Sequence, residues 1–118
     1  MKKQYEVLQD SRLCACPVFL ADTFPSRFRG LMLRSSLEPG EGLFLKHCGS
    51  IHCFFMSFPI DVVYLDRDLT VLRIETVPPW HIGSFVKGAK HVLELEEGKA
   101  ASLCIGSRIE LKERDIHE

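Results

Sequence analysis

The most informative part of this sequence is the run IDVVYLDRDLTVLRIETV, residues 60–77. Both halves are rich in β-branched residues, which favour extended backbone on a pleated, half-buried surface. The polar triplet Asp66-Arg67-Asp68 between them is typical of a turn. The run therefore predicts a β-hairpin with strands over Ile60–Leu65 and Leu69–Val77.

Short apolar segments of the same kind lie on both sides of this hairpin, separated by Pro- and Gly-containing turns. The further strands predicted in this way cover residues 5–8, 18–21, 43–45, 51–56, 91–95 and 108–111, with one helical turn over 99–103. One segment differs: Phe24, Phe28 and Met32 recur at helical spacing after possible capping residues, which predicts a short helix over about 24–32. Short strands with a single helix predict a mainly β fold, a compact β-sandwich or partly open barrel with one short N-terminal helix.

Length and composition narrow the class of protein. A chain of 118 residues with 46% hydrophobic residues is expected to form a single domain, with a frayed tail after about residue 112. Its 15 Lys and Arg nearly balance 16 Asp and Glu, so we expect no nucleic acid partner. No apolar run approaches the roughly 20 residues of a membrane span, and the N-terminal residues lack the apolar core of a signal peptide. These features predict a soluble, cytoplasmic protein.

Three charged residues stand inside apolar stretches. They are Arg27 in the predicted helix, Asp61 in the first hairpin strand and Glu94 in a later strand. One interpretation places the two carboxylates on the wet face of alternating strands. A second pairs Arg27 with a carboxylate to hold the helix on the sheet, because the guanidinium fork suits a bidentate pair. The third is a ligand site.

Histidines and cysteines form a second group of candidate residues. The segment His47-Cys48-Gly49-Ser50-Ile51-His52-Cys53 contains two His-Cys pairs, and a zinc site of Cys14, Cys16, Cys48 and His52 is conceivable. The spacing is not that of a zinc ribbon, and free cysteines are commonly buried as small apolar residues. The five cysteines, an odd number, also argue against a disulfide framework. We therefore predict no metal ion and no cofactor.

Several of these segments occur in a characteristic order. They include Ala21-Asp22-Thr23 with Arg27, Gly30-Leu31-Met32 with Arg34, His52 with Phe54-Phe55-Met56, Pro59 to Asp66, and Val92-Leu93-Glu94-Leu95 with Gly98. In this order they resemble domain of unknown function family 192 over nearly the whole chain. The resemblance implies a compact, mostly β, sandwich-like fold with a short helix near the N-terminus. It implies no established activity, cofactor or partner, but the family pattern contains Arg27, His52, Asp61 and Glu94, which favours a shared polar site.

Three functional hypotheses follow. The first is a small non-catalytic ligand-binding or accessory domain for a small anionic ligand or a protein partner. Its predicted site residues are Arg27, Met32, His52, Phe55, Asp61, Trp80 and Glu94. The second is a small enzyme in which His52 is the general base and Asp61 orients it, and this hypothesis requires both side chains on one face. The third is a purely structural or interaction protein.

Overall fold

The computed structural model describes residues 4–21, 40–46, 58–81 and 83–114 of the chain. Its strands are β1 (Gln4–Gln9), β2 (Arg12–Ala21), β3 (Gly42–Leu45), β4 (Ile60–Leu65), β5 (Val71–Val77), β6 (His91–Glu96) and β7 (Glu110–Glu113). They confirm the mainly β fold. The helix expected over about 24–32 is not borne out, because it lies outside the described residues together with the strand expected over 51–56. Within the described ranges the one helical element is the expected turn, a 3-10 turn at Lys99–Ser102.

The central hairpin forms as the sequence predicts. Strands β4 and β5 pair antiparallel, with Ile60 opposite Val77 and Val63 opposite Ile74. The Asp66 side chain closes the turn, because its Oδ1 accepts hydrogen bonds from the backbone N–H of Asp68 and of Thr70, both at 2.9 Å. β5 begins at Val71, two residues later than expected.

All seven strands belong to one mixed sheet in the order β5-β4-β6-β3-β2-β1-β7. Neighbouring strands are antiparallel except β2 and β3, which are parallel. The two edges of the sheet approach each other through a bridge between Thr70, just before β5, and Arg108, just before β7. Hydrogen bonds from Val71 N to Ser107 O (3.0 Å) and from Ile109 N to Leu69 O (2.9 Å) reinforce this contact. Of the two architectures expected, the curled single sheet corresponds to the partly open barrel.

The apolar side chains form two clusters on opposite sides of this sheet. The inner cluster draws on strands across the whole sheet and consists of Val7, Ala15, Val18, Phe44, Val63, Leu65, Val71, Leu93, Leu95, Ala100, Leu103 and Ile109. The outer cluster comes from neighbouring strands β3 to β6 and consists of Leu43, Leu45, Ile60, Val62, Tyr64, Val77 and Val92. β4 contributes to both clusters and all six of its residues are buried, so the expectation of a wet face on this strand is wrong.

A long connection crosses the outer side of the sheet. Because β5 and β6 both pair antiparallel with β4, they run parallel to each other, and the chain must return along β4 between them. It does so over residues 78–90, which we call the strap and of which residues 78–81 and 83–90 are described. Val86 and Ala89 of the strap pack against the outer cluster. The strap therefore forms part of the layer over that side of the sheet.

The C-terminal strand remains paired slightly further than expected. β7 continues to Glu113, which lies opposite Tyr5, and Arg114 N donates a 2.9 Å hydrogen bond to Gln4 O. Ordered pairing thus extends two residues past the point where fraying was predicted to begin.

Candidate functional site

Glu94 is a buried carboxyl group without a hydrogen-bonding partner at one of its oxygens. It lies in β6 opposite Leu43 of β3 and Val62 of β4, two members of the outer cluster. Only 2% of its surface is exposed. Its Oε2 accepts no hydrogen bond from any group in the part of the chain that the structure describes. A buried polar atom left in this state costs about 1–3 kcal/mol, so its presence calls for an explanation.

The surroundings of Glu94 determine its charge. Burial among apolar side chains disfavours the ionised form and raises the pKa of Glu94 to about 8. At neutral pH the group is therefore mostly a neutral carboxylic acid. In that form it offers one O–H donor to whatever reaches it.

Asp61 has a different setting, in which both carboxylate oxygens accept hydrogen bonds. Its Oδ1 accepts a 2.7 Å hydrogen bond from Thr76 Oγ1 on the adjacent strand β5. Its Oδ2 accepts hydrogen bonds from the backbone N–H of Gly98 (2.9 Å) and of Ala100 (3.1 Å). The side chain thus fixes the start of the 3-10 turn, which inserts Ala100 into the inner cluster. Both oxygens therefore have partners among the described residues.

The strand register places Asp61 and Glu94 on opposite sides of the sheet. Glu94 is opposite Val62, so the neighbouring residue Asp61 is opposite Leu95. Paired residues project to the same side and successive residues alternate. Leu95 belongs to the inner cluster and Val62 to the outer cluster. The two carboxyl groups predicted to share a site are therefore separated by the sheet.

A second polar group on the outer side fastens the strap to the sheet. Tyr64 Oη donates a 2.5 Å hydrogen bond to Glu75 Oε2. Ser84 of the strap donates to the same carboxylate from its backbone N–H (2.8 Å to Oε2) and its hydroxyl (2.9 Å to Oε1). Arg73 completes the group at 3.4 Å from Oε1.

The titration of this group follows from these contacts. Burial acts to raise the pKa of Glu75, but the hydrogen bonds from Tyr64 and Ser84 and the charge of Arg73 outweigh it and hold the pKa below its usual range. Burial and the adjacent carboxylate raise the pKa of the Tyr64 phenol. The group is therefore a charged carboxylate with its donors in place over the physiological pH range.

Of the remaining predicted site residues, Trp80 is described. It lies in the strap with 58% of its surface exposed. Arg27, Met32, His52 and Phe55 lie outside the described residues, as does Cys48 of the conceivable zinc site. Cys14, Cys16 and Cys104 are free thiols. Over residues 4–21, 40–46, 58–81 and 83–114, no three His, Cys, Asp or Glu residues come together as metal ligands do.

Sequence reasoning missed two polar residues that organise this molecule. Gln9 is 1% exposed and holds the turn after the 3-10 element, donating to Cys104 O (3.1 Å) and accepting from Cys104 N (2.7 Å). Glu75 anchors the strap. Both residues lie in strands with mixed polar and apolar sequence, so nothing local distinguishes them from exposed positions. Among the described charged residues, Asp61 and Glu94 do carry such a signal, because their immediate neighbours are apolar.

The described residues contain no helical segment that could span a lipid bilayer.

Known proteins with the same fold have been solved. The structure resembles a Sinorhizobium meliloti 1021 protein described as a proposed transcription regulator, with a TM-score of 0.78, 24% identity and 94% of each chain covered. It also resembles a protein of unknown function from Novosphingobium aromaticivorans DSM 12444, with a TM-score of 0.74, 22% identity, and 91% of this chain and 83% of that one covered. At these identities the likeness establishes the fold alone.

Similar sequences occur among the proteins named UPF0127. A UPF0127 protein of Pyrococcus abyssi is 37% identical over 101 residues, which is 79% of this chain and 84% of the relative. A UPF0127 protein of Thermococcus kodakarensis is 38% identical over 81 residues, and this match spans about half, 52%, of that longer relative. The family model of domain of unknown function family 192, described as "Uncharacterized ACR", matches residues 7–111. The resemblance read from the ordered motifs is thus confirmed, and the chain belongs to domain of unknown function family 192.

Proposed function

We propose that this chain is a small, single-domain, non-catalytic ligand-binding protein, and that the outer side of the sheet around Glu94 binds a small anionic ligand. The observation that carries the proposal is the buried Glu94 Oε2, which has no hydrogen-bond partner in the described part of the chain. A bound ligand that hydrogen-bonds to this oxygen would supply the partner that the described chain lacks. Arg27 and His52, predicted from the sequence as further contacts, remain predictions.

The state of Glu94 fits an anionic ligand. An ionised carboxylate would repel an anion, whereas the neutral acid favoured by a pKa of about 8 donates a hydrogen bond to it. With 2% of its surface exposed, Glu94 is reached only when side chains packed over it move aside, so we expect slow association. Nothing in the described chain favours the enzyme alternative, because the oxygens of Asp61 already serve Thr76 and the 3-10 turn.

The partners and location follow from the same observations. The balanced charge of 15 Lys and Arg against 16 Asp and Glu supports a protein that does not bind nucleic acid. The free thiols of Cys14, Cys16 and Cys104 support a reducing compartment, and we propose the cytoplasm.

The test uses thermal melts with a panel of small carboxylates and inorganic phosphate. The native protein should melt at a higher temperature with at least one of these anions. Glu94→Gln keeps a neutral donor of the same shape and should retain the shift. Glu94→Leu should melt at or above the native temperature without anion, because it removes an unsatisfied buried group, and should lose the shift.

The matched control is Glu96→Gln, two residues further along β6 on the same side of the sheet but only partly buried. It should leave the anion-induced shift unchanged. The absence of a shift with every anion, together with a marked loss of stability in Glu94→Leu, would show that Glu94 has a purely structural role.

A further inference from the structure

The strap has an outer side that is unusually apolar for an exposed connection. Phe85 is 87% exposed and Trp80 is 58% exposed. Around Phe85 the chain alternates: Ser84 and Val86 face the sheet, while Phe85 and Lys87 face away from it. Large exposed side chains are unremarkable singly, but two aromatics within six residues of one connection form a candidate contact surface.

Hydrogen bonds fix the backbone of the strap on both sides of Phe85. Ser84, directly before Phe85, makes two hydrogen bonds to Glu75. At the other end of the strap, Lys90 N donates a 2.8 Å hydrogen bond to Leu65 O of β4. Trp80 has a φ of 64°, in the left-handed region that bulky residues disfavour, at a cost on the order of 1–3 kcal/mol. A surface fixed before binding loses little conformational entropy when a partner docks.

The charge of the strap differs from that of the remaining chain. It contains Lys87 and Lys90, both exposed, and no Asp or Glu between residues 78 and 90. The whole chain has 15 Lys and Arg against 16 Asp and Glu, so the rest has 13 against 16, a net charge of -3. The strap is thus a basic, aromatic surface on an otherwise acidic molecule. Charge complementarity then favours an acidic partner.

We propose that the outer side of the strap docks an acidic segment of another protein, with apolar side chains of that segment on Trp80 and Phe85 and its carboxylates beside Lys87 and Lys90. This surface is distinct from the Glu94 site, and the proposal does not depend on that site. A lipid surface is a weaker candidate, because two lysines contribute only about 1 kcal/mol each at an anionic membrane, where polybasic clusters have four to eight. Aromatic residues are enriched among the side chains that dominate binding energy at protein interfaces.

The experiment uses a phage-displayed random peptide library selected on the intact folded chain. Selected peptides, synthesised with a fluorescent label, are then titrated with the native protein and three variants. The peptides should be enriched in Asp and Glu next to apolar residues. Phe85→Ala and the double variant Lys87→Glu with Lys90→Glu should each weaken binding about tenfold or more, and added salt should weaken binding to the native protein.

Leu13→Ala is the matched control, since Leu13 is as exposed as Trp80 (58%) but lies at the start of β2, away from the strap. It should leave the affinity unchanged. Failure to select any peptide, selection without acidic enrichment, or equal affinity for Phe85→Ala overturns the proposal. Two other results would overturn the proposal because they identify a different binding partner. Sedimentation with phosphatidylserine-containing vesicles that depends on Phe85 would indicate a lipid surface. A concentration-dependent dimer that is lost in Phe85→Ala would indicate a second copy of this chain.

Discussion

Substitution of Asp61 tests most directly whether this buried carboxylate stabilises the fold. Replacing Asp61 with Ala removes the acceptor for Thr76 Oγ1 and for the backbone N–H groups of Gly98 and Ala100. Thr76 is exposed and recovers its hydrogen bond from water. Ala100 is 1% exposed, so its N–H stays unpaired unless the 3-10 turn leaves the inner cluster.

The expected magnitude follows from these three bonds. An unpaired buried N–H costs about 1–3 kcal/mol, and each net hydrogen bond lost adds roughly 1 kcal/mol. The unpaired N–H and the two other lost bonds should together lower the free energy of unfolding of Asp61→Ala by about 3–5 kcal/mol. This is a large part of the 5–15 kcal/mol typical of a domain. The melting temperature should fall by roughly 10–20 °C.

A matched control is present in the same hairpin. Asp66 also accepts two backbone hydrogen bonds, at 2.9 Å each, but in a turn where Asp68 is exposed and Thr70 is only partly buried. Because water reaches this turn more readily than the buried N–H of Ala100, Asp66→Ala should cost about 1 kcal/mol. Urea unfolding followed by far-UV circular dichroism measures both variants. The single Trp80 is already exposed when folded, which makes fluorescence a weaker probe.

Equal losses for Asp61→Ala and Asp66→Ala would refute this reasoning, because the larger loss is attributed mainly to the buried N–H of Ala100. A small loss for Asp61→Ala would also favour a functional role for this carboxylate.

Two other predictions test the outer side and the sheet interior. Glu94 is protonated in the folded chain up to a pKa of about 8 but ionises near 4.5 when unfolded, so stability should fall as pH rises through this window, by up to about 1.4 kcal/mol per pH unit. Urea midpoints at pH 5 to 8 should show a shallower fall for Glu94→Gln, and identical slopes would contradict the burial argument. An added Cβ at Gly42 would lie 2.8 Å from Leu95 Cδ2 and 3.2 Å from Glu94 O. Gly42→Ala should therefore cost about 1–3 kcal/mol in the same assay, and a neutral result would mean that the sheet adjusts freely.

The hairpin and most other strands were predictable because their signal is local. Each strand from Ile60 to Val77 carries its own β-branched residues, and the turn between them carries its own Asp66. The curling of the single sheet was harder to predict from the sequence. Its closure depends on backbone contacts such as Thr70 with Arg108, which are far apart in sequence and make no special demand on side chains.

The candidate site was predictable residue by residue but not as an arrangement. An isolated carboxylate among apolar neighbours marks Asp61 and Glu94 equally well. Which side of the sheet each one faces depends on the register between β4 and β6, and a shift of one residue would reverse it. The partners of Asp61, 37 and 39 residues away, likewise come from tertiary structure.

Asp61 and Glu94 differ in the hydrogen bonds that compensate for the burial of their carboxyl groups. At position 61, the cost of burial is offset by three hydrogen bonds, two of which hold a turn in the inner cluster, so the fold itself accounts for the residue. At position 94, a leucine would pack between Leu43 and Val62 without leaving any polar atom unpaired. No bond within the described chain offsets the cost at Glu94 Oε2. A buried carboxyl group for which the fold alone does not account is the better candidate for a ligand contact, and Glu94 lies on the outer side of the sheet.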